Sequence, residues 1–218
     1  MIKLEKVAKP KILDSKAKEW TEALVGKLKR GEQPTATEKS RYRHRDVKGA
    51  LVTEVSGKCA YCESPLQHIH HGDVEHIYPK SLDPNLTFEW NNLTLACEVC
   101  NQNKSNKDPL VEHIIDPYGV DPEEHMHFAG TMIFPLGTQE GVSTITILDL
   151  NRGELVEQRK ERLEKLLLIV DAALRPGTPD VVRRAIIDDL REQAGARNSP
   201  YSAMGKCFLL TVAEKLAA

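Results

Sequence analysis

The amino-acid sequence predicts an α+β fold in which helical regions flank a small cysteine-rich core. Apolar residues recur at helical spacing before residue 57 and after residue 150. Between these regions stand two Cys-x2-Cys pairs, and a short alternating segment over residues 73–80 is typical of a β-strand. The cysteine pairs and the strand lie in the middle of the chain, so the helices are expected around them.

The length of 218 residues suits one domain, or one domain with an appendage. We predict four regions: an N-terminal basic helical region (1–57), a zinc-bound core (58–115), a loop and β-hairpin (116–150) and a C-terminal helical region (151–218). No apolar run approaches a membrane span, and the N-terminus lacks the apolar core of a signal peptide. A cytoplasmic protein with no membrane partner is expected.

Helix start and stop signals divide the flanking regions into five predicted helices. They run from Asp14 to about Arg30, from about Glu38 to Ser56, from Asn151 to about Leu174, from Thr178-Pro179 to Gly195, and onward from Ser199-Pro200. Asp14 and Asn151 are expected to cap their helices through side-chain oxygens. Residues 1–13 are expected to form an extended basic arm.

The segment 125–136 alternates weakly between apolar and polar residues, and 144–148 alternates more clearly. With Gly137 and Gly141 between them, the two segments predict a β-hairpin. His125 and His127 would lie exposed on one face of its first strand.

Positive charge is concentrated at the N-terminus. Residues 1–58 carry 15 Lys and Arg against 8 Asp and Glu, whereas residues 59–218 carry 15 against 24. Binding of the nucleic-acid phosphate backbone is therefore expected from the N-terminal part or from a partner. Arg41, Arg43 and Arg45 form a cluster that either contacts nucleic-acid backbone or is a solvated helix face.

The four paired cysteines, Cys59, Cys62, Cys97 and Cys100, predict one tetrahedral zinc site. A closed four-thiolate site is structural, because no coordination position is left for substrate. Disulfides are disfavoured, since nothing marks the chain as secreted. Three nearby histidines, His68, His70 and His71, could be ligands, but exposure in a loop is the preferred interpretation. The remaining Cys207 is expected on the buried face of a helix.

Polar residues that the zinc site would hold together supply the chemistry. Glu75 could hold a hard cation beside His76, and Asn101 directly follows the last cysteine. Asn92 lies just before the second pair, and Lys104 just after it. A metal ligand, a base, an orienting amide and a lysine would together form a phosphodiesterase site.

These residues resemble the HNH endonuclease motif. Glu75-His76-Ile77-Tyr78-Pro79 is similar to its first part, with Glu in place of Asp, and the stretch from Asn92-Leu93 through Cys97 and Cys100 to Lys104 is similar to its second part. Asn101 stands where the final His of the motif would be, as in the HNN branch of the family. The resemblance implies a ββα-metal fold, with a short helix from Asn101 that carries Lys104.

The resemblance also implies roles for individual residues. His76 would be the general base, Glu75 and Asn101 would hold Mg²⁺ or Mn²⁺, and Asn92 would hold the loop that carries His76. Lys104 is expected to face a phosphate. Independently of the resemblance, Lys80 after Pro79 and the basic residues Arg41, Arg43 and Arg45 are further candidates for substrate binding.

Much of the chain resembles the HNH subunit of Septu-type and certain retron anti-phage systems, the PtuB type. The similar stretches are Asp73 to Ser81, the Asp116-Pro and Asp121-Pro loop, and Leu150-Asn-Arg before a long helix. The resemblance implies an ABC/SMC-like ATPase partner of the PtuA type and favours DNA over RNA as substrate. A non-catalytic zinc-ribbon adaptor and a stand-alone HNH restriction endonuclease remain alternatives, which metal-dependent cleavage and activity of the isolated chain would distinguish.

Overall fold

The computed structural model describes residues 1–66 and 71–217, and these contain eight α-helices and four short β-strands. The helices are α1 (Lys11–Lys29), α2 (Ala36–Ser40), α3 (Arg45–Glu54), α4 (Glu98–Lys104), α5 (Gln139–Ile147), α6 (Gly153–Leu174), α7 (Asp180–Gly195) and α8 (Ser202–Ala217). The strands are β1 (Asp73–His76), β2 (Leu93–Ala96), β3 (Met126–Ala129) and β4 (Met132–Pro135). The strands form two separate antiparallel pairs, β1 with β2 and β3 with β4. The predicted α+β fold is confirmed.

The first strand pair and α4 form the ββα unit at the centre of the chain. Glu75 lies opposite Thr94 in the β1–β2 register, and α4 follows β2 after one residue. β1 ends at His76, short of the predicted residue 80. The Ile77 N–H still bonds to the Asn92 carbonyl, but both backbone groups of Tyr78 bond to the Asn92 side chain instead of a strand. α4 begins three residues before the predicted Asn101, because the Cys97 side chain caps it by accepting from the Cys100 N–H.

One main apolar core draws on all four predicted regions, with buried residues that include Met1, Leu51, Leu93, Leu148 and Met204. A smaller cluster lies among α6, α7 and α8. The division into four regions stays a prediction. Residues 1–10 form no helix or strand, as expected of an extended arm, but Lys11 already begins α1, so the arm is shorter than the predicted 1–13. Met1, Ile2 and Leu4 of this segment are buried in the main core.

Both predicted N-terminal helices differ from the observed ones. Pro10 is the N-cap residue of α1, and its carbonyl accepts from the Asp14 N–H, so Asp14 lies within the first turn and is not the cap. The second predicted helix is broken into α2, a 3-10 turn over Arg41–Arg43, and α3. The break has a local cause, because the His44 side chain caps α3 by accepting from the Asp46 N–H.

The predicted hairpin is wrong in its second strand. β3 and β4 both lie within the first alternating segment, and residues 139–147 form α5. Thr138 caps α5, and Thr144 is fully buried with its hydroxyl accepting from the Ile115 N–H. Tertiary packing of Thr144 therefore overrides the strand preference of this β-branched segment.

Asn151 does not cap α6. Its side-chain amide instead bonds to both backbone groups of Ile133 in β4, accepting from N–H at 2.9 Å and donating to the carbonyl at 2.8 Å. The amide thus pairs with β4 as a neighbouring strand would, and α6 begins without a side-chain cap at Arg152. None of the described helices is both long and apolar enough to span a bilayer.

Candidate active site

The four paired cysteines converge on one point. The sulfurs of Cys59, Cys62, Cys97 and Cys100 all lie within 4.8 Å of one another, and three of the residues are buried. A turn after β-bridge residue Lys58 aims the first pair, and the N-terminus of α4 aims the second. Four thiolates at this separation fit the tetrahedral geometry of zinc, so the cluster is suited to bind it.

Arg152 reaches this cluster from the start of α6. Its guanidinium nitrogens lie 3.9 Å from the sulfurs of Cys97 and Cys100. Burial lowers its pKa, but the surrounding thiolates outweigh burial and raise the pKa above the usual value. A bound zinc ion with four thiolates would carry two negative charges, and this arginine would offset part of that charge. Sequence spacing did not reveal this role, because Arg152 lies 52 residues beyond Cys100.

His76 stands at the end of β1 with one ring nitrogen fixed. Nε2 lies 3.0 Å from the Thr87 carbonyl oxygen, which can only accept, so Nε2 carries the proton in the neutral ring. Nδ1 then holds the lone pair, 3.5 Å from the Lys80 ammonium. Burial, followed by the positive charge of Lys80, lowers the pKa of His76 to about 3. The ring is therefore neutral near pH 7, which leaves the Nδ1 lone pair unprotonated.

Basic residues of the N-terminal region approach this histidine. The Tyr42 ring packs edge-on against His76, with ring centroids 4.6 Å apart. Tyr42 also lies beneath two cations, the Lys80 ammonium at 5.0 Å and the Arg43 guanidinium at 5.6 Å. Arg41 lies over Trp20 at 5.5 Å, whereas Arg45 points away, pairs with Asp46 and is almost fully exposed. The structure thus brings the Arg41–Arg43 turn to the site, and Arg45 stays outside it.

Lys104 does not lie where the motif predicts. Its ammonium is buried, 2.9 Å from Glu75 Oε1 and 2.8 Å from the His76 carbonyl oxygen. The expectation that it faces a phosphate conflicts with this position, because the ammonium is held between the Glu75 carboxylate and the backbone of β1. Burial raises the pKa of Glu75, although the Lys104 charge opposes the shift.

Asn92 binds the backbone of the loop after His76. Its Oδ1 accepts from the Tyr78 N–H at 2.7 Å, and its Nδ2 donates to the carbonyls of Tyr78 and Leu86 at 2.9 Å and 3.2 Å. The Leu86 carbonyl belongs to the 3-10 turn Pro84–Phe88, which also supplies the Thr87 carbonyl that holds His76. One buried amide therefore connects both segments that orient the imidazole.

Asn101 lies in the middle of α4 and faces a small pocket. Its Nδ2 donates to Asp73 Oδ2 at 3.3 Å, which leaves Oδ1 as the atom able to bind a cation. The pocket measures about 120 Å³ and is lined by Glu75, His76, Pro79, Lys80, Asn101, Ser105 and Asn106. One carboxylate and one amide oxygen suit Mg²⁺ or Mn²⁺, which take few protein ligands and complete their shell with water and phosphate. The donor set therefore fits such an ion.

A second buried network lies behind the strand pair. Glu54 of α3 accepts from Lys6 at 2.9 Å and from the Tyr118 hydroxyl, and Tyr118 is 2.9 Å from the Thr94 hydroxyl. Thr94 is the β2 partner of Glu75. This network connects the N-terminal segment to β2, the partner of the strand that carries Glu75 and His76. No motif marks these residues, since Lys6 and Glu54 are 48 positions apart.

The other histidines lie away from the pocket where the structure describes them. His71 is exposed, and His68 and His70 lie outside the described residues. His127 is exposed on β3, but His125 precedes that strand and bonds to the Thr138 hydroxyl. Cys207 is half-buried, with its sulfur 3.7 Å from the His127 ring.

Known proteins match both the motif region and a larger part of the chain. A sequence model of the HNH endonuclease family matches residues 59–107. The Septu protein PtuB of Bacillus mycoides (strain KBAB4) is 30% identical over 194 residues, which covers 73% of this chain and 66% of that protein. PtuB of Bacillus thuringiensis is 34% identical over 130 residues, covering 56% and 50%.

The retron Vc95 HNH protein of Vibrio cholerae serotype O1 biovar El Tor is 31% identical over 145 residues, covering 58% of this chain and 67% of that protein. The chain therefore spans between half and two thirds of the length of these relatives.

Proposed function

Because the chain belongs to the HNH endonuclease family, in the group that contains PtuB and the retron HNH protein, we propose that it hydrolyses phosphodiester bonds of nucleic acid with a divalent metal ion. The observation that carries this proposal is the arrangement of His76. Its lone pair at Nδ1 faces a pocket shared with Glu75, Asn101 and Lys80.

Each residue of the pocket has a proposed part in the reaction. His76 takes a proton from the attacking water at Nδ1, while the Thr87 carbonyl holds the ring in position. Glu75 and Asn101 would hold Mg²⁺ or Mn²⁺, and a bound ion supplies neutralisation of the phosphate charge. Lys80 and Arg43 attract the phosphate backbone, and Asn92 keeps the loop in place.

The substrate and the partner are also proposed. We propose DNA as the substrate and an ABC/SMC-like ATPase of the PtuA type as the partner, on the resemblance to PtuB. The uneven charge supports a partner, since only residues 1–58 carry excess positive charge. An anti-phage role follows from the same relatives.

The test compares cleavage by the wild type with cleavage by His76→Ala. Supercoiled plasmid and total RNA are incubated with each protein in Mg²⁺ and in Mn²⁺, with and without the proposed PtuA-type ATPase. His127→Ala is the matched control, because that histidine is exposed on β3. We expect His76→Ala to lose at least 100-fold in rate and the control to remain active.

Cleavage that persists in His76→Ala would refute the catalytic assignment. Metal-independent binding without cleavage, both alone and with the ATPase, would favour a zinc-ribbon adaptor.

A further inference from the structure

A larger cleft opens beside the candidate active site. It lies between the C-terminal half of α1, α2 and the Pro84–Phe88 turn, and its volume is about 460 Å³. It is lined by Leu24, Leu28, Lys39, Lys80, Ser81, Pro84, Thr87 and Asn106. This volume is within the range of about 300–1,000 Å³ that small-molecule sites occupy, whereas the catalytic pocket is smaller than that range.

The cleft and the catalytic pocket are adjacent. Lys80 and Asn106 line both, so a substrate chain that binds at one lies close to the other. Thr87 lines the cleft, and its carbonyl oxygen lies 3.0 Å from Nε2 of His76. A nucleotide in the cleft would therefore lie next to the phosphate that faces His76.

The lining has the chemistry of a nucleotide site. Leu24, Leu28 and Pro84 give an apolar wall against which the face of a base can pack, although Leu28 is 41% exposed without a ligand. Both charged residues of the lining, Lys39 and Lys80, are cationic and suit the flanking phosphates. Ser81 and Asn106 offer donors and acceptors to the edge of a base.

A base within a duplex can enter such a cleft only after it leaves the helix, which costs unstacking and unpairing energy. Only an unpaired nucleotide can place its base against the apolar wall while its phosphate stays at the surface.

We propose that this cleft is a nucleotide subsite that binds one unpaired nucleotide beside the cleaved phosphate. The inference rests on the proposed nuclease function for the identity of the ligand. It makes a single-stranded or locally unpaired nucleic acid the preferred substrate class.

The test measures binding, so that it does not depend on cleavage. His76→Ala protein, without added Mg²⁺ or Mn²⁺, is titrated against a fluorescein-labelled 20-nucleotide single strand and against the matching duplex. The same background carries Leu28→Gln or Lys39→Gln. Leu168→Gln and Lys160→Gln are the matched controls, since both residues are exposed on α6.

We expect the single strand to bind at least 10-fold more tightly than the duplex. Leu28→Gln and Lys39→Gln should each weaken single-strand binding at least 3-fold, and the controls should stay within 2-fold. A strand that contains 2-aminopurine should brighten on binding, and Leu28→Gln should reduce that signal, because the base is unstacked in the cleft.

Tighter duplex binding, equal affinities for Leu28→Gln and Leu168→Gln, or no binding at all would overturn the subsite. The two proposals fail separately. Leu28-dependent binding of single strands without any His76-dependent cleavage would leave the subsite and remove the nuclease function. Cleavage that depends on His76, but is equal for single strands and duplexes and unaffected by Leu28→Gln, would support the nuclease function and refute the subsite.

Discussion

Replacement of Lys104 by Met would test whether this lysine acts inside the protein or on the substrate. The ammonium is 2.9 Å from Glu75 Oε1, and the two side chains are only 1% and 9% exposed. Methionine keeps the length of the side chain but leaves the Glu75 carboxylate without its counter-charge. Because solvent cannot screen the pair, we expect a loss of about 3–5 kcal/mol in the free energy of unfolding.

The stability lost in Lys104→Met should depend on pH in a defined direction. Burial raises the pKa of Glu75 against the effect of Lys104, so the variant should raise it further. An acid whose folded pKa is raised loses stability as pH rises through that pKa. The deficit of Lys104→Met should therefore be large at pH 7.5 and should shrink as the solution is acidified and Glu75 becomes neutral.

The assay is urea unfolding of zinc-loaded protein, followed by circular dichroism without added Mg²⁺. Lys160→Met, at an exposed position, controls for the loss of one positive charge. The double variant Lys104→Met, Glu75→Gln should recover most of the lost stability, because no buried charge is left unpaired. Unchanged stability of Lys104→Met together with weaker nucleic-acid binding would refute the buried pair and restore the role predicted from the motif.

Two further predictions concern the zinc centre and the acid stability. Arg152→Gln should release zinc to a chelator about 10-fold faster than wild type, because the thiolates lose an outer-shell partner. Arg191→Gln, at an exposed position, is the control and should release zinc at the wild-type rate. Equal release rates for Arg152→Gln and wild type would contradict the contact. Burial tends to raise the pKa of Glu63, but the Met1 amino group and Lys58 outweigh it and hold the pKa at about 2, below the usual 4.5. Glu63→Gln should therefore be about 3 kcal/mol less stable than wild type at pH 7, and the gap should close as pH falls from 4.5 toward 2. Both proteins lose zinc in acid, so the difference between their unfolding free energies reports Glu63, and a gap independent of pH would refute it.

Local sequence predicted the elements best where a short-range signal decides them. The cysteine pairs needed only a turn and a helix start to aim their sulfurs, and both are local. The strand predicted at residues 144–148 failed, because Thr144 is buried against Ile115 and its helix is stabilised by that contact. The cap predicted at Asn151 failed for a related reason, since its amide satisfies the backbone of a strand 18 residues away.

The sequence by itself determined the cysteine centre, the order of motif residues and the family, because these depend on spacing within one segment of about 50 residues. Only the tertiary structure decided which partners these side chains contact. It placed Lys104 beneath β1 as the partner of Glu75, brought Arg152 to the thiolates, and set Tyr42 against His76. Those contacts depend on packing between distant elements and on exclusion of water from charged groups, and neither leaves a periodic or spaced pattern along the chain.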